Sequence, residues 1–148
     1  MKNTISFNSK FGWITATEEN NKIIEINFLK KKNLGNSPTL KKLKRSIIRF
    51  FSKKTKTIDT PFKLEGNLFQ KRIWNELKKI KYGETKSYGD IAKKLKTSPR
   101  YIGKVCGQNK HILVIPCHRV VRSDGGLGGF SSTGGIKLKQ KLLNFEQT

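Results

Sequence analysis

Cys117 is preceded by Pro116 and followed by His118, and this triplet is the part of the sequence best suited to covalent chemistry. A thiol with an ordinary pKa of about 8.5 is only a few per cent ionised at neutral pH, so a nucleophilic cysteine needs a group to take its proton. Pro116, with fixed φ and no N–H, ends the apolar run Ile112-Leu113-Val114-Ile115 and sets the direction of Cys117. That run is expected to form a buried strand with the cysteine at its end. A small buried hydrophobe beside a core histidine would use the same two residue types, and the pair by itself does not separate the readings.

The only other residues of these types are Cys106 and His111. Two cysteines cannot make a disulfide framework, and no Cys or His spacing closes a zinc shell, so neither metal nor other cofactor is expected. No run approaches the 18 apolar residues needed to cross a bilayer, and the N-terminus lacks the apolar core of a signal peptide. The expected setting is the cytoplasm.

The elements around the cysteine read mainly as helices. Phe69, Ile73, Trp74, Leu77 and Ile80 recur at helical spacing from Leu68 to about Ile80, and Gly83 stands where a helix usually stops. Ser87 and Asp90 make a capping-box signature for a short helix, Tyr88 to Leu95. Lys96-Thr97-Ser98 is a three-residue turn, and Pro99 opens a further helix to about Gly107. Two short helices joined in this way suit a helix-turn-helix whose second helix, carrying Arg100, Tyr101 and Lys104, would enter a major groove.

Before that segment, Gly12–Thr17 and Lys22–Leu29 flank the polar turn Glu18-Glu19-Asn20-Asn21 as a hairpin. Ser37-Pro38 begins a helix with Leu40, Leu43, Ile47, Ile48 and Phe51 on its apolar side and Lys/Arg opposite. Thr60-Pro61 is the expected seam between residues 1–60 and residues 61–148 of a 148-residue α/β (α+β) chain.

Thirty-two Lys and Arg face ten Asp and Glu, a net charge of +22 that implies a polyanionic partner or a device for solubility. Both halves share it, +10 in residues 1–60 and +12 in residues 61–148. Lys dominates and Ala occurs only twice, so part of the excess reflects a compositional bias.

The string Ile115-Pro116-Cys117-His118-Arg119-Val120-Val121, with Asn109 eight residues before the cysteine, a Gly-rich loop after it and a final Leu-Leu-x-x-Glu helix, resembles the O6-alkylguanine-DNA alkyltransferase family. The resemblance runs from about Phe69 through Tyr82-Gly83-Glu84-Thr85, Ser87-Tyr88-Gly89-Asp90-Ile91-Ala92 and Ser98-Pro99-Arg100 to Glu146. It implies a DNA repair protein that flips O6-alkylguanine, and O4-alkylthymine, out of duplex DNA and moves the alkyl group irreversibly to Cys117 in a single turnover. His118, acting through a water and oriented by Glu146, would take the thiol proton, with Asn109 tying the recognition helix to the active-site turn. Tyr88 would contact the flipped base, Arg100 would fill the vacated stack, Val120 would offer backbone contacts to the guanine edge, and Ser131 would lie on the loop over O6. Tyr101, Gly103, Lys104 and Arg119 complete the expected DNA-facing set, with Ile102 and Gly103 small enough for close approach.

In that family the recognition helix works in the minor groove, which replaces the major-groove expectation and fits a protein that must ignore flanking sequence. The resemblance also implies a ribonuclease H-like N-terminal subdomain, no zinc ligands in this chain, and a monomer for which cooperative assembly on DNA is compatible. Three features depart from the family pattern: Lys110 after Asn109 where proline is usual, Phe130 for a frequent tyrosine, and a Gly128–Gly135 loop two residues longer. A binding-only lesion sensor and a Cys-His hydrolase are the competing readings; the first would lack the reactive cysteine, and the second would turn over repeatedly.

Overall fold

A computed structural model describes all 148 residues, which divide into two compact units. The first holds Met1–Leu64 together with Lys110–Val114, and the second holds Glu65–Asn109 together with Ile115–Thr148. No helix is long and apolar enough to cross a membrane.

The first unit is an antiparallel sheet of three strands in the order β1 (Lys2–Ser9), β2 (Gly12–Glu19) and β3 (Lys22–Asn27), covered by helix α1 (Pro38–Phe51). The expected hairpin is β2–β3. Asn20 and Asn21 close it at φ 52° and 64°, because a two-residue turn matching strand twist needs left-handed residues and Asn tolerates them. Strand β1 has no counterpart in the sequence reading; only Phe7 of its eight residues is fully buried, so its alternation is faint. Ser37 caps α1 by accepting from Leu40 N–H at 3.3 Å, and Pro38 occupies its first turn. Leu40, Leu43 and Ile47 face the core as expected and Phe50 joins them, whereas Ile48, also expected there, is exposed and Phe51 is half-buried.

Residues 112–115 are buried as expected but are not a strand. Lys110 O accepts from Ile26 N–H of β3 at 2.8 Å, His111 makes an isolated bridge with Ile26, and Leu113 then turns left-handed at φ 73°. A pleat cannot continue through that residue.

In the second unit, α2 (Leu68–Leu77) starts on a capping box between Asn67 and Gln70 and ends three residues before the expected Ile80. Ile73, Trp74, Leu77 and Ile80 are buried, and Trp74 Nε1–H donates to Val105 O at 3.2 Å. Strand β4 (Lys86–Ser87) leads into α3 (Tyr88–Leu95), whose capping box is the expected one: Ser87 Oγ accepts from Asp90 N–H at 2.9 Å while Asp90 accepts from Ser87 N–H at 3.4 Å. Lys96, left-handed at φ 58°, ends α3, and α4 (Pro99–Cys106) follows from the Ser98 cap. Cys117–Arg119 form a single 3-10 turn, β5 (Val120–Val121) pairs in parallel with β4, and α5 (Gly135–Gln147) closes the chain.

Candidate active site

The β4–β5 pair fixes the site because Tyr88 begins the helix that follows β4 while Cys117 opens the turn that precedes β5. Lys86 lies opposite Val120 and Ser87 opposite Val121, so the start of α3 and the cysteine turn are held together by backbone pairing. A cleft of about 1150 Å³ opens there, with Tyr88, Arg100, Gly103, Cys106, Cys117 and Ser131 among the residues on its walls. Helix α4 supplies Arg100, Gly103 and Cys106 at intervals of three, one face of the helix.

Cys117 is 3% exposed. Asn109 donates from Nδ2 to Cys117 Sγ at 3.1 Å and to Ile115 O at 2.9 Å, and Ser131 Oγ lies 4.0 Å from the sulfur while donating to Asn109 O at 3.4 Å. Burial raises the Cys117 pKa; the Asn109 and Ser131 hydrogen bonds and the charge of Lys139 act in the opposite direction without cancelling it. The resting cysteine is therefore a thiol at neutral pH, in a setting that already offers donors to a thiolate.

The next residue, His118, is fully buried, and burial holds its pKa below the ordinary value against the raising effect of Glu146. The neutral ring donates Nε2–H to Glu146 Oε2 at 2.8 Å, which leaves Nδ1 as its basic nitrogen, buried and without a hydrogen-bond partner in the protein. Arg119 donates from Nε to Glu146 Oε1 at 2.8 Å, from Nη2 to Oε2 at 2.9 Å and from Nη1 to Ile80 O at 2.8 Å. Burial would raise the Glu146 pKa, but the bonds from His118 and Arg119 outweigh it and hold the carboxyl at about 2. An ionised carboxylate thus orients a neutral imidazole that follows the cysteine in sequence.

Residues 68–148, more than half of the chain, match the family model for the 6-O-methylguanine DNA methyltransferase DNA-binding domain. A methylated-DNA–protein-cysteine methyltransferase of Metallosphaera sedula is 39% identical over 144 residues, covering 95% of this chain and 90% of the relative. The chain belongs to the methylated-DNA–protein-cysteine methyltransferase family. Its counterpart in Sulfolobus acidocaldarius is 38% identical, again across 95% of this chain and 90% of the relative. Among solved structures, Mycobacterium tuberculosis OGT in complex with DNA superimposes with a TM-score of 0.87 at 28% identity, covering 97% of this chain and 92% of that one.

Within this methyltransferase fold the residues expected from sequence fall into three places. Cys117, Tyr88, Arg100, Gly103 and Ser131 line the cleft, Asn109 bonds the sulfur, and His118 and Glu146 are buried and bonded to each other. On α4, Arg100 and Lys104 are exposed, while Tyr101 is half-buried with its ring 5.5 Å from that of Phe69. Three expectations change. Arg119, placed among DNA-facing residues, is 7% exposed, and the Glu146 carboxylate and Ile80 carbonyl take its guanidinium. Ile102 is wholly buried and so cannot approach DNA. Val120 is core, outside the cleft walls, with its N–H on the Cys117 carbonyl.

Two residues at the site escaped the sequence reading. Lys139 of α5 has no exposed surface; its Nζ donates to Leu127 O at 2.6 Å, Gly129 O at 3.0 Å and Tyr88 Oη at 3.2 Å. Its seven-residue spacing from Glu146 puts both on one helix face, the one signal that could have found it. Gly128 is left-handed at φ 74°, and a Cβ there would stand 2.6 Å from Tyr88 Oη. Together Lys139 and Gly128 seat the loop after Leu127 directly on the tyrosine.

Proposed function

We propose that this protein repairs DNA by taking the alkyl group from O6 of guanine onto Cys117 Sγ, and that residues 61–148 carry out this work. The reading rests on one arrangement: a buried cysteine on the wall of a cleft, hydrogen-bonded by Asn109, followed in sequence by a histidine that burial keeps neutral and Glu146 orients. The thiol proton passes through a water to His118 Nδ1, the nitrogen left basic by the Glu146 bond. The thiolate attacks the alkyl carbon, the S–C bond forms as the C–O6 bond breaks, and the electron pair leaves with guanine, which is then reprotonated. The thioether resists water, so each molecule reacts once.

A guanine inside a duplex cannot reach this cleft, and rotating it out costs a few kcal/mol. Arg100, exposed at the cleft wall on α4, fills the gap in the stack, while Tyr88 meets the extruded base and Lys104 a phosphate. The DNA complex of Mycobacterium tuberculosis OGT supports DNA as the partner.

Incubating the protein with a duplex containing O6-methylguanine should raise its intact mass by one methyl group, on the peptide that holds Cys117. Unchanged mass, repeated turnover, or labelling that persists in Cys117→Ala would refute the reading. Arg100→Ala should slow reaction with alkylated duplex by roughly 10²-fold, an unstacking cost of a few kcal/mol left uncompensated, and leave labelling by free benzylguanine near the wild-type rate. Equal slowing of both reactions would assign Arg100 to the fold instead.

A further inference from the structure

Helix α1 and the segment after it contain eight cations between Lys41 and Lys56 and no carboxylate. Lys42, Arg45, Ser46 and Arg49 fall at helical spacing on one face of α1, away from the buried Leu40, Leu43, Ile47 and Phe50. The chain then doubles back. Lys53 is left-handed at φ 60°, its N–H donates to Phe50 O at 3.1 Å, and Lys54 N–H donates to Arg49 O at 3.0 Å, the paired bonds of a helix-ending Schellman motif with lysine where glycine is usual. This turn brings Lys54, Thr55 and Thr57 round to the Lys/Arg face and encloses a hollow of about 390 Å³.

Four cations, three hydroxyl-bearing side chains and a single carboxylate, Asp59, line that hollow. None of Lys42, Arg45, Arg49 and Lys54 lies within ion-pairing distance of a carboxylate, although other lysines of this protein, such as Lys79 and Lys94 on Glu76, do find one. Like charges crowded into one concavity repel, so the fold gains nothing from this arrangement unless an anion occupies it. Guanidinium forks, ammonium groups and hydroxyls are together the donor set for phosphate oxygens.

We propose that this hollow is a second DNA-contacting surface, which grips backbone phosphates of a duplex through Lys42, Arg45, Arg49 and Lys54 independently of α4. The choice of DNA as the polyanion rests on the function proposed above; the donor chemistry does not. Contacts of this kind are blind to sequence and extend the footprint of a protein that must search long stretches of undamaged duplex.

The test is the salt dependence of binding to unmodified duplex DNA, with the full-length triple variant Arg45→Gln/Arg49→Gln/Lys54→Gln. At about 0.9 units of log–log slope per phosphate contact, the slope should become shallower by roughly 2 to 3 units, and affinity should fall at least about tenfold near 0.1 M salt. Labelling of Cys117 by free benzylguanine should be unaltered, which shows the variant to be folded. A control with the same charge change at exposed Lys2, Lys22 and Lys32, each replaced by Gln, should keep the wild-type slope. An unchanged slope in the Arg45 variant, an equal loss in the control, or a loss confined to RNA would overturn the proposal. Absence of Cys117 labelling in the wild type would instead count against the alkyltransferase reading alone.

Discussion

Glu146→Gln should destabilise the protein by about 3–5 kcal/mol, because it leaves the buried Arg119 guanidinium without its counter-charge. In the native protein one carboxylate receives three bonds of 2.8 to 2.9 Å, two from Arg119 and one from His118. A neutral amide can accept some of them but cannot balance the charge. The pH dependence provides an independent check. The Glu146 carboxyl titrates at about 2 when folded, against 4.5 as the reference, so its contribution is complete above pH 4.5 and is lost as the pH falls towards 2. Over that interval it amounts to about 3 kcal/mol at roughly 1.4 kcal/mol per pH unit. Urea unfolding should therefore show a large gap between the two proteins at pH 7 that narrows towards pH 2. A gap of the same size at every pH would remove the charge from the explanation. Alkyl transfer should fall by roughly 10²- to 10⁴-fold as well, since the amide can present its NH₂ to His118 and drive the proton onto Nδ1, the nitrogen needed as base.

Lys139→Met should slow the reaction of Cys117 with free benzylguanine by roughly 10²-fold while retaining most of the packing volume. Two effects combine. The Lys139 charge is one of the influences that favours the Cys117 thiolate against the burial that opposes it. Its loss should move the pH–rate profile to the alkaline side, because more base is then needed to ionise the same thiol. The Leu127 and Gly129 carbonyls and the Tyr88 hydroxyl also lose a shared donor. Unsatisfied buried acceptors cost about 1–3 kcal/mol each, so the loop should detach from Tyr88 and thermal stability should fall. Stopped-flow labelling across pH separates the effects. Recovery of the wild-type rate at high pH indicates that charge dominates, and a rate depressed at every pH indicates that loop position does. A wild-type rate and profile would contradict both.

Local chemistry made much of the second unit readable. The Ser87–Asp90 capping box, Pro99 after Ser98, and the apolar spacing of α3 and α4 each depend on residues within a turn of one another, and these elements begin where expected. Cys117 and His118 are neighbours in the chain, and their shared chemistry required no fold to be noticed. Elsewhere residue type predicted burial but not conformation. Ile112–Ile115 is apolar and buried as anticipated, yet Leu113 adopts a left-handed backbone that no hydrophobicity pattern encodes.

The sequence by itself determined the candidate nucleophile, the histidine next to it, the helices that frame them and an excess of positive charge. Only the tertiary structure decided where individual charges are spent. Arg119 reads as a surface cation until Glu146, 27 residues away, encloses it, and Lys139 reads as a solvated helix lysine until Tyr88, 51 residues away, meets its ammonium group. Lys42, Arg45, Arg49 and Lys54 look no different in type, yet the turn at Lys53 gathers them around one open hollow, none of them ion-paired with a carboxylate. The physical reason is the same in each case: the environment of a charge depends on desolvation and on partners distant in the chain, and neither exists before the chain has folded.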